Sequence, residues 1–139
     1  MKPMPGPVTA AAILTLLATA LIHFIEAPDA FSEVTYKGVL FIANGVGALI
    51  AAVGILRGAW LWGWVLGLLM VGGAIAGYVA SRTVGLPSIP PEPDAWLEPW
   101  GVASLVVEGL FVILFAVASR ARPRPPVADQ RKPTTSLGA

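Results

Sequence analysis

The sequence predicts an all-α polytopic membrane protein: an antiparallel four-transmembrane-helix bundle with both termini cytoplasmic. Three observations predict it. Of 139 residues, 56% are hydrophobic and only 12% charged, where a soluble domain carries about a quarter charged residues; mean hydropathy is +0.77. The charges cluster, so the chain falls into apolar runs of about twenty residues, the length of a helix that spans a bilayer. Lysine and arginine are also segregated, which sets orientation.

The first run, 7–26, follows Lys2 and resembles a signal peptide, but Ile25 is not small and Pro28 blocks processing after Ala27. It is expected to stay as a first membrane helix, stopped by Pro28, with a short acidic loop behind it. The second run covers 37–56. Arg57-Gly58 makes a tight turn, so the third helix, 59–81, returns beside the second. Trp60, Trp62 and Trp64 anchor one end of that helix at the interface, Tyr78 and Arg82 the other. A proline-rich loop follows, carrying Glu92, Asp94, Trp96 and Glu98, and is expected to lie across the bundle mouth. The fourth helix, 100–119, completes a membrane domain of residues 1–119. Residues 120–139 read as a disordered basic cytoplasmic tail.

Lys2, Arg57 and the tail arginines fall on one side of this layout, and the two acid-rich loops on the other. The positive-inside rule therefore puts both termini inside a bacterial plasma (inner) membrane, with the acidic loops outside.

Composition also excludes chemistry. Without cysteine there is no thiolate metal site, iron–sulfur ligation or disulfide relay. The single histidine, His23, rules out haem held between two histidines of one chain. No nucleic-acid partner is expected; the lipid bilayer, a homodimer or a larger membrane complex are.

Small residues mark helix interfaces in lipid. Gly47, Ala51, Gly54 and Gly58 line one face of the second helix. The third carries Gly63-x-x-x-Gly67 and Gly73-x-x-x-Gly77, with Met70, Ala74 and Ser81 extending the stripe. These stripes predict close packing within the chain, with a homodimer as the other use.

The polar residues gather in the outer half. Glu108 lies about 12 Å below the outer interface and Asn44 about 10 Å, from the helical rise. Ser104 is one turn above Glu108; Thr19, His23 and Glu26 share a face of the first helix; Tyr78 and Arg82 lie near the outer end of the third. A carboxyl group inside hydrocarbon demands a reason. Glu108 is either a neutral acid hydrogen-bonded between helices, with Asn44 its best match in depth, or a proton or ion ligand. His23, Glu26 and Glu108 offer an N/O donor set for a divalent metal; an interfacial histidine or a His23–Glu26 ion pair is the plainer reading. Asn44, Tyr78, Arg82, Ser104 and Glu108 are candidate ligand-binding residues. Arg82 is an anchor at the headgroups, or a counter-ion to Glu26 or an acid of the outer loop. No residue reads as catalytic.

Three blocks, residues 23–28 (His-Phe-Ile-Glu-Ala-Pro), 81–87 (Ser-Arg-Thr-Val-Gly-Leu-Pro) and 96–109 (Trp-Leu-Glu-Pro-Trp-Gly-Val-Ala-Ser-Leu-Val-Val-Glu-Gly), resemble uncharacterised bacterial four-helix integral membrane proteins, with no activity attached. That resemblance implies that His23, Glu26, Arg82 and Glu108 belong to the family's pattern. Small multidrug-resistance transporters are similar in size and helix number. Their essential membrane glutamate lies in the first helix, whereas here it lies in the fourth.

The leading expectation is a non-enzymatic accessory or interaction subunit with a ligand or metal site in the outer half. The inner half carries almost no polar residues, which argues against a continuous ion path. A dimeric proton-coupled exporter using Glu108, or a membrane metal or redox enzyme, is the alternative.

Overall fold

The computed structural model describes residues 6–123. Four helices are long and apolar enough to cross a membrane: α1 (Pro7–Glu33), α2 (Thr35–Leu56), α3 (Trp60–Thr83) and α4 (Pro99–Ala121). The described residues contain no β-strand, only an isolated bridge between Leu86 and Ile89.

Helix α1 starts at Pro7, where the missing N–H costs nothing. It does not stop before Pro28 as the sequence predicts, but runs on to Glu33, so the expected acidic loop is its last turns. The proline removes one helical hydrogen bond, and packing compensates. Ala27 and Ala30 on either side are buried, and the rings of Phe24 and Phe31 fill the space that a Cβ would need at Gly45 and Gly38 of α2. Neighbouring helices hold interior prolines in place in this way. A single extended residue, Val34, joins α1 to α2.

Helix α2 ends in the expected turn, with Gly58 at φ 75°, a left-handed conformation that costs glycine little. The first six residues of α3, Trp60–Val65, are wound wider as a π-helical turn. There Gly63 and Gly54 bring two backbones together: a Cβ on Gly54 would stand 2.5 Å from the Trp62 carbonyl oxygen, and one on Gly63 2.5 Å from the Ile55 nitrogen. Gly67 makes room for Phe111 of α4 and Leu16 of α1. Around this contact lies the core: Ala12, Leu16 and Ala20, then Ala48, Ala51, Ala52 and Ile55, then Trp64, Val71 and Phe111.

The connection from α3 to α4 is irregular, as its prolines require, with one short 3-10 turn at Pro93–Ala95. It ends at Glu98, whose carboxylate accepts from the Trp100 and Gly101 backbone N–H groups at 3.1 and 2.7 Å, a side-chain N-cap. Helix α4 extends through Arg120 to Ala121; the rest of the predicted tail, residues 124–139, lies outside the described residues.

Contacts between helices gather the charged residues at two ends. At one end, the start of α1 (Val8, Thr9), the start of α3 (Trp60, Trp64) and the end of α4 (Ala121, Arg122) line a common recess. Its described charges, Arg57, Arg120 and Arg122, are all positive. The opposite end holds the α1–α2 junction and the 84–98 loop, tied together by the Tyr36 hydroxyl donating to the Pro87 carbonyl. Glu26, Asp29, Glu33, Glu92, Asp94 and Glu98 belong to this acidic end, with Lys37 and Arg82.

Candidate functional site

Three polar groups of the site are buried between helices. Glu108 is 1% exposed, Thr19 fully buried and His23 nearly so. Each has a local reason for its placement. Ser104, one turn earlier on α4, donates its hydroxyl to Glu108 Oε1 at 2.6 Å. The His23 Nδ1 lies 2.9 Å from the Thr19 carbonyl oxygen, so the proton belongs on Nδ1, the assignment that makes a hydrogen bond there. The other side of the imidazole meets the Phe41 ring, 5.1 Å between centroids. The Thr19 hydroxyl oxygen is buried with no hydrogen-bond partner.

Register places these groups in one layer. Leu16 and Phe111 meet at Gly67, and Thr9 and Ala118 line the recess at the arginine end. The pairing thus climbs α1 as it descends α4. One turn further toward the acidic end it sets Thr19 level with Glu108, and beyond them His23 level with Ser104. No lysine, arginine or histidine among the described residues forms an ion pair with Glu108; the two ion pairs are Lys37–Glu33 and Arg82–Glu92. An ionised carboxylate would therefore stand in low dielectric without a counter-charge, a costly arrangement.

Asn44 does not hydrogen-bond to Glu108, contrary to the match in depth. Its amide donates to the Met70 carbonyl of α3 at 2.8 Å, and its own carbonyl oxygen is left buried and unpartnered. Depth along the bundle says nothing about azimuth, and Asn44 sits on the α2 face turned to α3. Tyr78 and Arg82 are fasteners for the loop. The Tyr78 hydroxyl donates to the Trp96 carbonyl at 2.9 Å, and Arg82 reaches the Ala95 carbonyl through Nε at 3.0 Å and Glu92 through Nη1 at 2.9 Å. The Arg82 guanidinium also lies 4.6 Å over the Tyr78 ring, and Tyr78 packs on Gly101 of α4. The loop is thereby latched over the acidic end of α3 and α4.

The structure thus brings Ser104 to Glu108 and sets Thr19 and His23 at their depth on α1, while Asn44, Tyr78 and Arg82 serve the packing of α3 and its loop. Among the described residues, no group of three or more histidines and carboxylates could hold a metal ion, so His23, Glu26 and Glu108 do not form the donor set that their sequence positions suggest. Glu26 is a residue of α1 beyond the buried layer.

One feature escapes a reading of residue types. Gly38, Gly45, Gly47, Gly54, Gly63, Gly67 and Gly101 are all filled by neighbours within the chain, but Gly72, Gly73, Gly77 and Gly109 have no atom within 4 Å of an added Cβ. The second Gly-x-x-x-Gly pair of the predicted α3 stripe, Gly73 and Gly77, therefore meets no neighbour among the described residues. Sequence could flag the stripe but not which half was used.

Fold and site together define, among the described residues, an all-helical fold with four helices long and apolar enough to cross a membrane and a set of buried polar groups at one depth. No protein-family model, curated protein or solved structure matches the chain. The resemblance carried by residues 23–28, 81–87 and 96–109 stands on those residues alone.

Proposed function

We propose that the protein is a small multi-pass plasma-membrane protein acting as an accessory or interaction subunit, with α3 receiving a transmembrane helix of its partner. Its helices run antiparallel, with the arginine end and both termini in the cytoplasm. The pairings of Phe31 with Gly38, Phe24 with Gly45, Met70 with Gly47 and Gly63 with Gly54 support that arrangement, and the segregation of arginines from acids supports the orientation.

The observation that carries the interaction reading is the open glycine face. Gly73 and Gly77, with Ala76 and Ala80 between and after them, form a small-residue stripe whose glycines meet no other helix among the described residues. In lipid, where apolar surface alone drives no association, such a stripe lets a second backbone approach closely. The stripe continues along α3 from Met70 and Leu66, which border a wholly apolar groove of about 520 Å³ with Ile42, Ala43, Val46 and Ile50 of α2. A helix laid there would have both a close-contact surface and a groove beside it.

The core supports a non-transporting role. Between Glu108 and the arginine end lie Leu16, Phe111 and Trp64 of the apolar core, and the buried Thr15 hydroxyl there is bonded to the Ala12 carbonyl of its own helix. Replacing Gly73 and Gly77 together by leucine is expected to leave the protein folded and to abolish recovery of its partner from mild detergent. Full recovery with the double variant would refute the reading.

One observation favours a second reading, a dimeric proton-coupled exporter: the fully buried carboxyl of Glu108. Such an exporter would show substrate protection of Glu108 against carbodiimide labelling, which a subunit would not.

A further inference from the structure

The recess at the arginine end combines an apolar wall, two indoles and a guanidinium. It holds about 330 Å³ between α1, α3 and α4, lined by Val8, Thr9, Trp60, Trp64, Ala118 and Arg122. That is within the usual range of small-molecule sites, about 300–1,000 Å³. The two indoles stack with centroids 5.8 Å apart at 27°, and Phe115 backs Trp60 at 5.6 Å. The Arg122 guanidinium lies 4.1 Å over the Trp60 ring.

Stacking engages the flat face of a guanidinium and leaves its in-plane N–H groups free to donate. These fork-shaped donors match the oxygens of a phosphate. No carboxylate competes for them among the described residues, since both ion pairs lie at the acidic end. Thr9 adds a hydroxyl to the same recess, and Val8, Val117 and Ala118 offer an apolar wall leading from it along the helices. Tryptophan favours the headgroup level of a bilayer, where an apolar body meets a polar boundary.

We propose that this recess seats the phosphodiester headgroup of an anionic glycerophospholipid. Arg122, held on Trp60, binds the phosphate, and an acyl chain lies along Val117 and Ala118. The bound lipid closes the seam between the start of α1 and the end of α4. The proposal rests on the helices lying in a bilayer but not on the partner-subunit reading, because it concerns the opposite side of α3 and needs no second protein.

Native mass spectrometry of the full-length protein in uncharged detergent, titrated separately with phosphatidylglycerol, phosphatidylcholine and inorganic phosphate, tests it. Phosphatidylglycerol is expected to be retained in preference to phosphatidylcholine. Arg122→Gln should weaken that retention about fivefold, the effect of one basic side chain at an anionic surface, whereas Arg57→Gln, which removes a charge at the same end outside the recess, should not. Tryptophan emission should respond to phosphatidylglycerol in the native protein and not in Arg122→Gln. Equal retention of phosphatidylcholine would overturn the proposal, as would an equal loss in Arg57→Gln. Displacement of the lipid by inorganic phosphate at the same concentration would show that the recess takes a free anion, and would overturn it too.

Discussion

The half of the molecule toward the arginines and the half toward the acids are held together by different means. In the first, Leu16, Phe111, Trp64, Ile55 and the alanines of α1 and α2 interlock by shape, with glycines admitting the rings and backbones. In the second, side chains also reach backbone carbonyls of other elements, Asn44 to Met70, Tyr78 to Trp96 and Arg82 to Ala95, whereas in the first the Thr15 and Ser119 hydroxyls bond only within their own helices, to Ala12 and Phe115. The contrast shows that a polar residue in an apolar helix is not by itself a site. Most of them fasten a helix or a loop. Thr19 and Glu108 stand apart, one with a hydroxyl oxygen lacking any partner and the other with a buried carboxyl joined to Ser104 alone.

The sharpest way to break this comparison is Phe111→Ala. Phe111 is fully buried where α1, α3 and α4 meet, and removing such a ring costs about 3–5 kcal/mol. Denaturant unfolding in mixed micelles should show a loss of that size; a loss below that of any acidic-half variant would invert the contrast. Next comes Gly54→Ala. The added methyl meets backbone of α3 rather than a movable side chain, and overpacking of this kind costs about 1–3 kcal/mol. Its control is Gly77→Ala, where nothing lies within 4 Å. That variant should be neutral, or more stable by up to about 1 kcal/mol through helix propensity.

A small effect is likewise expected for Glu108→Gln. The amide keeps an acceptor for the Ser104 hydroxyl and adds a donor at the level of Thr19, so stability should change by no more than about 1 kcal/mol. Unfolding of Glu108→Gln as severe as that of Phe111→Ala would show that the carboxyl group itself holds the bundle together.

Much of the fold was legible in the sequence because a bilayer's thickness fixes helix length, and four apolar runs follow from that constraint alone. The turn at Arg57-Gly58 was equally legible, since few residues other than glycine adopt φ 75° there. The end of α1 was not. Pro28 signals a stop locally, and only the seating of Phe24 and Phe31 over Gly45 and Gly38 makes continuing the helix favourable.

For the site, sequence alone determined that Glu108 is an outlier and that Ser104 lies one turn away on its own helix, because both facts are one-dimensional. Whether Asn44 faces Glu108 or Met70, whether three donors converge on a metal, and which glycines are filled all depend on how each helix is rotated about its axis. Residue spacing fixes depth, whereas packing fixes azimuth. The tertiary structure turned Asn44 away to α3, brought Trp60 under Arg122, and left Gly73 and Gly77 facing outward. The last two features support the proposed roles; the glycine stripe is visible along the chain but its open half is not, and nor is the Trp60–Arg122 contact, because each arises where helices distant in sequence meet or fail to meet.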